Sequence, residues 1–308
     1  MAAKKSTIVR AYARLASTGT RALFWLLERG APGLGGRWAE RLWFTLPRAR
    51  RAATPPPTGP AGGGTAFEVA VDGRRVRGRR WGGGGPVVYL VHGWGGSARQ
   101  LDALVAPLVR SGFSVVSYDA PSHGASDPGA SGPRSSTNPE ASEALLAVVA
   151  RFGPAHGVVA HSLGATAAAT ALRDGLRAGR MVLIAPLAHP LPHSYAFAER
   201  FGFGERIRRR LVARIERRVG LPMSDFDVPE IARQVTTPKL LVVHDRDDRE
   251  TRWSDGRAIA RAWPDARLLT TTRLGHRRVL SDPEVVAQVV GFLGEAAGSR
   301  AAPTDVVA

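Results

Sequence analysis

Val158-Val159-Ala160-His161-Ser162-Leu163-Gly164-Ala165 leads from an apolar stretch through a serine into an Ala-rich one. A serine hydroxyl is presented for attack when a sharp strand-to-helix turn strains its backbone, and that turn admits only small residues two positions to either side. Ala160 and Gly164 fill those places, so Ser162 is the candidate nucleophile. The chain has no cysteine, which removes a thiol nucleophile and any cysteine-ligated metal or cluster. Upstream, Val91-His92-Gly93-Trp94-Gly95-Gly96 is a Gly-rich turn directly after an apolar run. Its backbone N–H groups, Trp94 first among them, can join that of Leu163 in an oxyanion hole. A general base is expected late in the chain, and His276 lies in a loop between the last strand and the last helix, where it can reach the serine. His92, His123, His156, His161, His189, His193 and His244 are its competitors. The acid that orients the base is expected after the apolar run 239–243, which is followed by Asp245, Asp247, Asp248 and Glu250. The run ending at Ala185 meets no acid before Glu199.

These groups need a frame to bring them together. The runs 87–91, 113–118, 157–160, 181–185, 239–243 and 266–270 are apolar without alternation, as strands covered on both faces must be. Helical stretches separate them, which predicts a parallel sheet built of crossover units. Ahead of them, 66–71 and 74–81 flank Asp72-Gly73, a dipeptide suited to a tight hairpin turn. Residues 187–236 form an insertion far longer than the usual ~2–6-residue connection and are expected to make a helical cap. Within it, Ile207, Leu211, Ile215 and Val219 recur every four residues and predict a helix over 205–219. Its seven arginines read as a solvated face rather than an anion-binding one. The expected organisation is a basic helical extension at 1–53, a Pro/Gly linker at 54–64, a catalytic body at 65–298 and a flexible tail at 299–308.

The motifs together resemble the α/β-hydrolase superfamily over roughly residues 66–297. The resemblance rests on HGWGG (92–96), YDAPSHGASD (118–127), AHSLGA (160–165), HDRDD (244–248) and LGH (274–276), in the family's order of serine, acid and histidine. It implies an α/β fold with a mostly parallel central sheet flanked by helices, a cap insertion and, here, an N-terminal helical extension. It also implies Ser162 as nucleophile, His276 as base, Asp248 as orienting acid and Trp94 and Leu163 as oxyanion donors. Asp119, His123 and Gly124 look like the family's structural loop. Ala160 departs from the usual glycine. In the family-like H-G-x-x-D pattern, Asp245 replaces glycine and is expected to serve the turn through a left-handed backbone. A serine rather than an aspartate at the elbow points away from dehalogenases and epoxide hydrolases and toward acyl chemistry, with no metal or organic cofactor required. The expected substrate is a small hydrophobic ester or thioester. The alternative is a noncatalytic ligand-binding protein of the same fold.

The chain has 308 residues and a net charge of +17. Residues 1–60 carry eleven basic side chains against Glu28 and Glu40, yet no nucleic-acid motif accompanies them, so no nucleic-acid partner is expected. No apolar run approaches the ~18 residues of a membrane span, and no secretory signal is evident, which makes cytoplasmic the expected location. Ile8, Tyr12, Leu15, Leu23, Leu26 and Leu27 interleave with the basic residues of 1–51. That segment is expected to dock on its own domain or to lie peripherally on an anionic membrane. Oligomeric state is left open.

Overall fold

The computed structural model describes residues 18–47 and 63–295; residues 1–17, most of the expected linker and the expected tail lie outside the described residues. Asp72 and Gly73 both take positive φ, 46° and 73°, and fold β1 (Thr65–Val71) back on β2 (Arg74–Trp81). The apolar runs then become β3 (Val87–Val91), β4 (Ser114–Tyr118), β5 (Ala155–His161), β6 (Ala178–Ile184), β7 (Lys239–Asp245) and β8 (Arg267–Thr271). All eight join one sheet in the order β1-β2-β4-β3-β5-β6-β7-β8. Pairings from β3 to β8 are parallel, and only β1 with β2 and β2 with β4 are antiparallel.

The uninterrupted apolarity of the central strands has a direct cause. Val88 and Leu90 of β3 pack toward one face, with Leu104 and Leu108 of α3 (Asp102–Arg110) and Val289 and Phe292 of α11 (Pro283–Gly294). Tyr89 and Val91 point to the opposite face. There they meet Leu145 of α4 (Asn138–Phe152), Ala168 of α5 (Leu163–Arg173), Ile231 of α8 (Val228–Gln234) and Ile259 of α9 (Trp253–Ala262).

The insertion between β6 and β7 holds α6 (Pro190–Phe201), α7 (Glu205–Val219), a helical turn at Met223–Phe226 and α8. Upstream of the sheet lie α1 (Thr18–Gly30) and α2 (Pro32–Phe44), and a third apolar cluster joins them to the insertion. Phe24, Ala39, Leu42 and Phe44 pack there with Phe197, Phe201, Ile207 and Leu211.

The arginine-rich face of α7 is largely solvated, with Arg206, Arg209, Arg210, Arg217 and Arg218 exposed, but several of its arginines also hold partners. Arg214 lies 2.5 Å from Glu40, and Arg218 lies 3.8 Å from it. Arg208 is buried between Glu205 and Ser194, and Arg206 donates to the Glu28 carbonyl. A helical period identifies the apolar stripe, but the partners Glu28 and Glu40 lie some 175 residues away in sequence and leave no local pattern.

Candidate active site

Ser162 ends β5 and begins α5 with φ 54° and ψ −122°, a left-handed conformation that costs a non-glycine residue on the order of 1–3 kcal/mol. Its amide is held by Ile184 O at 3.0 Å, which locks the turn to β6. The requirement for a small residue at 164 is steric: a Cβ there would sit 2.5 Å from His92 O and 2.8 Å from Val91 O. The elbow therefore packs directly against the 92–96 turn. No hydrogen bond among the described residues takes up the amides of Trp94 or Leu163, whereas Gly93 N–H donates to Gln100 Oε1.

Two buried histidines shape that turn. His92 lies 2.8 Å from Gly93 O through Nδ1 and accepts the Ala120 N–H at Nε2. His123 lies 2.9 Å from Pro121 O through Nδ1 and accepts the Gly95 N–H at Nε2. Each ring must be neutral to accept on one nitrogen and donate on the other. Burial lowers the pKa of both, that of His123 to about 3. The rings lie 4.9 Å apart and tie 92–96 to the loop that follows β4. Asp119 completes the tie by accepting N–H groups of Ala98 and Ala125.

His276 sits in α10 (Gly275–Arg278) with its Nδ1 2.7 Å from Asp248 Oδ2. The Asp248 side chain is 0% exposed. Desolvation alone would raise its pKa, but hydrogen bonds with His244 and His276 and from the Glu250 amide outweigh it and hold the carboxyl well below its usual range. Of the four acids after the run 239–243, Asp248 is the one joined to His276 Nδ1. Glu250 lies on the other side of the ring, with Oε2 3.9 Å from Nε2 and Oε1 3.7 Å from Arg277 Nε. Asp245 does not take the left-handed backbone expected of it. Its carboxylate instead accepts the Asp247 amide, the Thr271 hydroxyl and the Leu274 amide, fastening the acid loop to the histidine loop. A three-acceptor role of this kind is set by tertiary contacts and has no signature in the dipeptide.

Two further residues support the constellation. The Thr251 hydroxyl is 3.0 Å from Asp248 Oδ2, 3.1 Å from Ala185 O and 3.3 Å from His276 Nδ1. His161 Nε2 lies 2.9 Å from the His276 carbonyl, which fixes it as the donor, and burial followed by the neighbouring His276 drives the His161 pKa well below its usual value. Neither was evident as a partner of His276 in the sequence, because each contact crosses between loops.

Ser162 and His276 line one cavity of about 320 Å³ together with Trp94 and Leu163. No direct Ser162–His276 hydrogen bond is formed among the described residues, and such contacts often tighten only when substrate binds. Leu187, Phe197, Ile215, Val219, Met223 and Phe226 of the insertion make much of the wall, as the sequence leads one to expect. Trp43 and Phe44 complete it, and these were not expected. Arg200, Arg249, Arg277 and Glu250 also reach the cavity, so its rim is polar. Among the described residues no group of His, Asp and Glu side chains is arranged to hold a metal ion.

Comparison with known proteins places these features in context. Residues 88–289 match the Alpha/beta hydrolase family. An esterase from Exiguobacterium antarcticum superposes with a TM-score of 0.57 at 15% identity, covering 75% of this chain and 100% of that one. A hydrolase from Pseudomonas aeruginosa gives 0.59 at 23% identity, covering 75% and 99%. Over 132 residues the chain is 35% identical to the dihydrolipoyllysine-residue acetyltransferase component of the acetoin cleaving system of Cupriavidus necator. That stretch is 41% of this chain and 32% of the relative, so the chain spans about a third of the relative's length.

Proposed function

Because the chain belongs to the alpha/beta hydrolase family, we propose that it is a serine hydrolase cleaving a carboxylic ester or thioester through Ser162, His276 and Asp248. The observation that carries this reading is the strained Ser162 sharing a cavity with a histidine whose Nδ1 is bonded to a buried carboxylate. Ser162 Oγ attacks the acyl carbonyl carbon while His276 Nε2 accepts the hydroxyl proton. Asp248 holds the ring in the tautomer that leaves Nε2 free and stabilises the imidazolium. The free amides of Trp94 and Leu163 donate to the oxyanion. Collapse expels the alcohol or thiol, protonated by His276, and leaves the acyl group on Ser162. Water activated by His276 then releases the acid. The fold similarity to an esterase is consistent with this chemistry, and the apolar cavity suits a small hydrophobic acyl group.

Labelling with a fluorophosphonate, followed by turnover of p-nitrophenyl esters, tests the reading. Ser162 is the expected site of labelling, and Ser162→Ala is expected to lower ester hydrolysis by about three orders of magnitude or more with the fold intact. Retained activity in the purified variant would overturn the nucleophile assignment. An unlabelled protein that binds esters without turning them over would be the noncatalytic ligand-binding protein.

A second property follows from the outer face of α1. Phe24 and Leu27 turn toward the insertion, while Leu23, Trp25 and Leu26 are 46%, 52% and 58% exposed. Arg29 stacks 3.7 Å over the Trp25 ring. An exposed apolar helix face edged by arginine fits the boundary of an anionic lipid layer. A second copy of the chain fits less well, since a twofold contact would bring like-charged arginines together. Peripheral lipid association is therefore part of the proposed function.

A further inference from the structure

The cavity wall has two separate sources. One is the insertion expected of this fold, and the other is the last turn of α2, which contributes Trp43 and Phe44. The family match begins only at residue 88, and both superposed proteins align over nearly their whole length with three quarters of this chain. The α1–α2 pair thus lies outside the family match.

Its attachment is built at two places, on the insertion and on the segment that precedes α4. Toward the insertion, the Glu28 carboxylate accepts the N–H groups of Gly204, Arg206 and Ile207, capping α7, whose own N-cap is a glycine without a side chain to do so. Glu40 pairs with Arg214 and Arg218. These are the only two acids in residues 18–47, and both are spent on α7. The Pro-Gly-Leu-Gly-Gly opening of α2 has the same purpose: a Cβ on Gly35 would collide with Ile207, and one on Gly36 would lie 2.8 Å from Arg210 Cβ. Toward the sheet, Thr45 bridges Ser135, and Leu46 N–H donates to Arg134 O at 2.8 Å. The adjoining Ser136, Thr137 and Asn138 line the cavity from that side. The strap from 43 to 46 therefore runs from the insertion to the body, is fastened at each end and lines the cavity through Trp43 and Phe44. Trp43 packs edge-on to Phe197 at 5.0 Å and to His193 at 5.8 Å, which fixes its ring against the insertion.

We infer that the last turn of α2, held in place by α1, is the specificity-determining wall of the acyl site, with Trp43 and Phe44 confining the substrate to compact apolar acyl groups. The inference rests on the hydrolase reading above. A cavity of about 320 Å³ is near the lower end of the ~300–1,000 Å³ usual for ligand sites. Phe44 is buried and its truncation endangers the fold, whereas Trp43 is only half-buried and is the residue to change.

The test compares wild type, Trp43→Ala and Trp43→Phe on p-nitrophenyl esters from acetate to palmitate, with melting temperatures taken in parallel. Trp43→Ala is expected to raise the ratio of kcat/KM for dodecanoate over butyrate by about tenfold or more, chiefly through KM. Trp43→Phe is expected to keep the wild-type ratio to within about twofold. An unchanged chain-length profile in a folded Trp43→Ala protein would overturn the inference. If the wild type turns over no ester and Ser162 resists fluorophosphonate, the hydrolase reading has failed on its own. The wall is then read by calorimetric titration with alkanoic acids of increasing length. A longer upper limit in Trp43→Ala supports it, while identical limits or no binding by either protein overturns it.

Discussion

A single nitrogen separates the roles of the two carboxylates nearest His276. Asp248 is bonded to Nδ1, the position that sets the tautomer, whereas Glu250 is 3.9 Å from Nε2, the position that would exchange a proton with substrate. An orienting carboxylate is worth about four orders of magnitude in turnover, and a neighbouring charge far less. Asp248→Asn is therefore expected to cripple single-turnover acylation, with Asp247→Asn and Glu250→Gln staying within about tenfold of wild type. Asp245→Asn belongs to a third class, because its carboxylate fastens two loops rather than touching the ring. Its defect should appear as lowered thermal stability, with rate recovered at low temperature. A large acylation defect in Glu250→Gln beside a mild one in Asp248→Asn would reverse the assignment. Chain order alone narrowed the proposed acid to this cluster, and the family-like spacing pointed to Asp248, the carboxylate that lies 2.7 Å from His276 Nδ1. What no spacing could give was which face of the imidazole each carboxylate meets.

At the scale of elements, the sheet and its elbow were legible because a buried parallel strand must be apolar on both faces and a sharp turn must have small neighbours. Val87–Val91 matches its expected bounds for that reason, and Glu205–Val219 matches because its apolar residues recur at the helical period. Docking of residues 1–51 on their own domain was one of two expectations, and α1 and α2 do pack on the insertion; the particular partners were not legible, since Glu28 caps a helix through contacts 176 to 179 residues away. The loops around the elbow carry a pH dependence of their own. His92, His123 and His161 are all held neutral, with burial the leading cause. An unfolded chain binds protons at these positions below pH ~6.5, so the unfolded state takes up more protons than the folded one. The stability they contribute is complete above about pH 6.5 and is lost as pH falls toward the folded value, about 3 for His123. Each histidine that stays neutral costs about 2 kcal/mol at pH 5 relative to pH 7.5. Urea midpoints should therefore drop between those pH values, and His123→Asn should shrink the drop. Equal midpoints at the two pH values would mean that these rings protonate without unfolding.

For the whole molecule, the net charge of +17 and the exposed face of α1 bear on the same partner. Basic groups near an anionic surface contribute about 1 kcal/mol each, screened by salt. Wild type is expected to sediment with phosphatidylglycerol-containing vesicles but not with phosphatidylcholine alone, and to be released by salt. Leu23→Glu with Leu26→Glu should abolish that sedimentation and leave soluble-ester turnover unchanged, because neither residue lines the cavity. Equal sedimentation of the two proteins would remove α1 from the interaction. No helix among the described residues is long and apolar enough to cross a membrane. The cap that Glu28 places on Gly204 also has a temporal side, for the two residues are 176 positions apart along the chain. At ~5–20 residues per second, the ribosome needs roughly 10–35 s to make the second after the first. During that interval Phe24, Leu42 and Phe44 have no insertion to pack against, so the nascent chain carries α1 and α2 unpartnered. A chaperone that holds short apolar segments would find its target here before the sheet is complete.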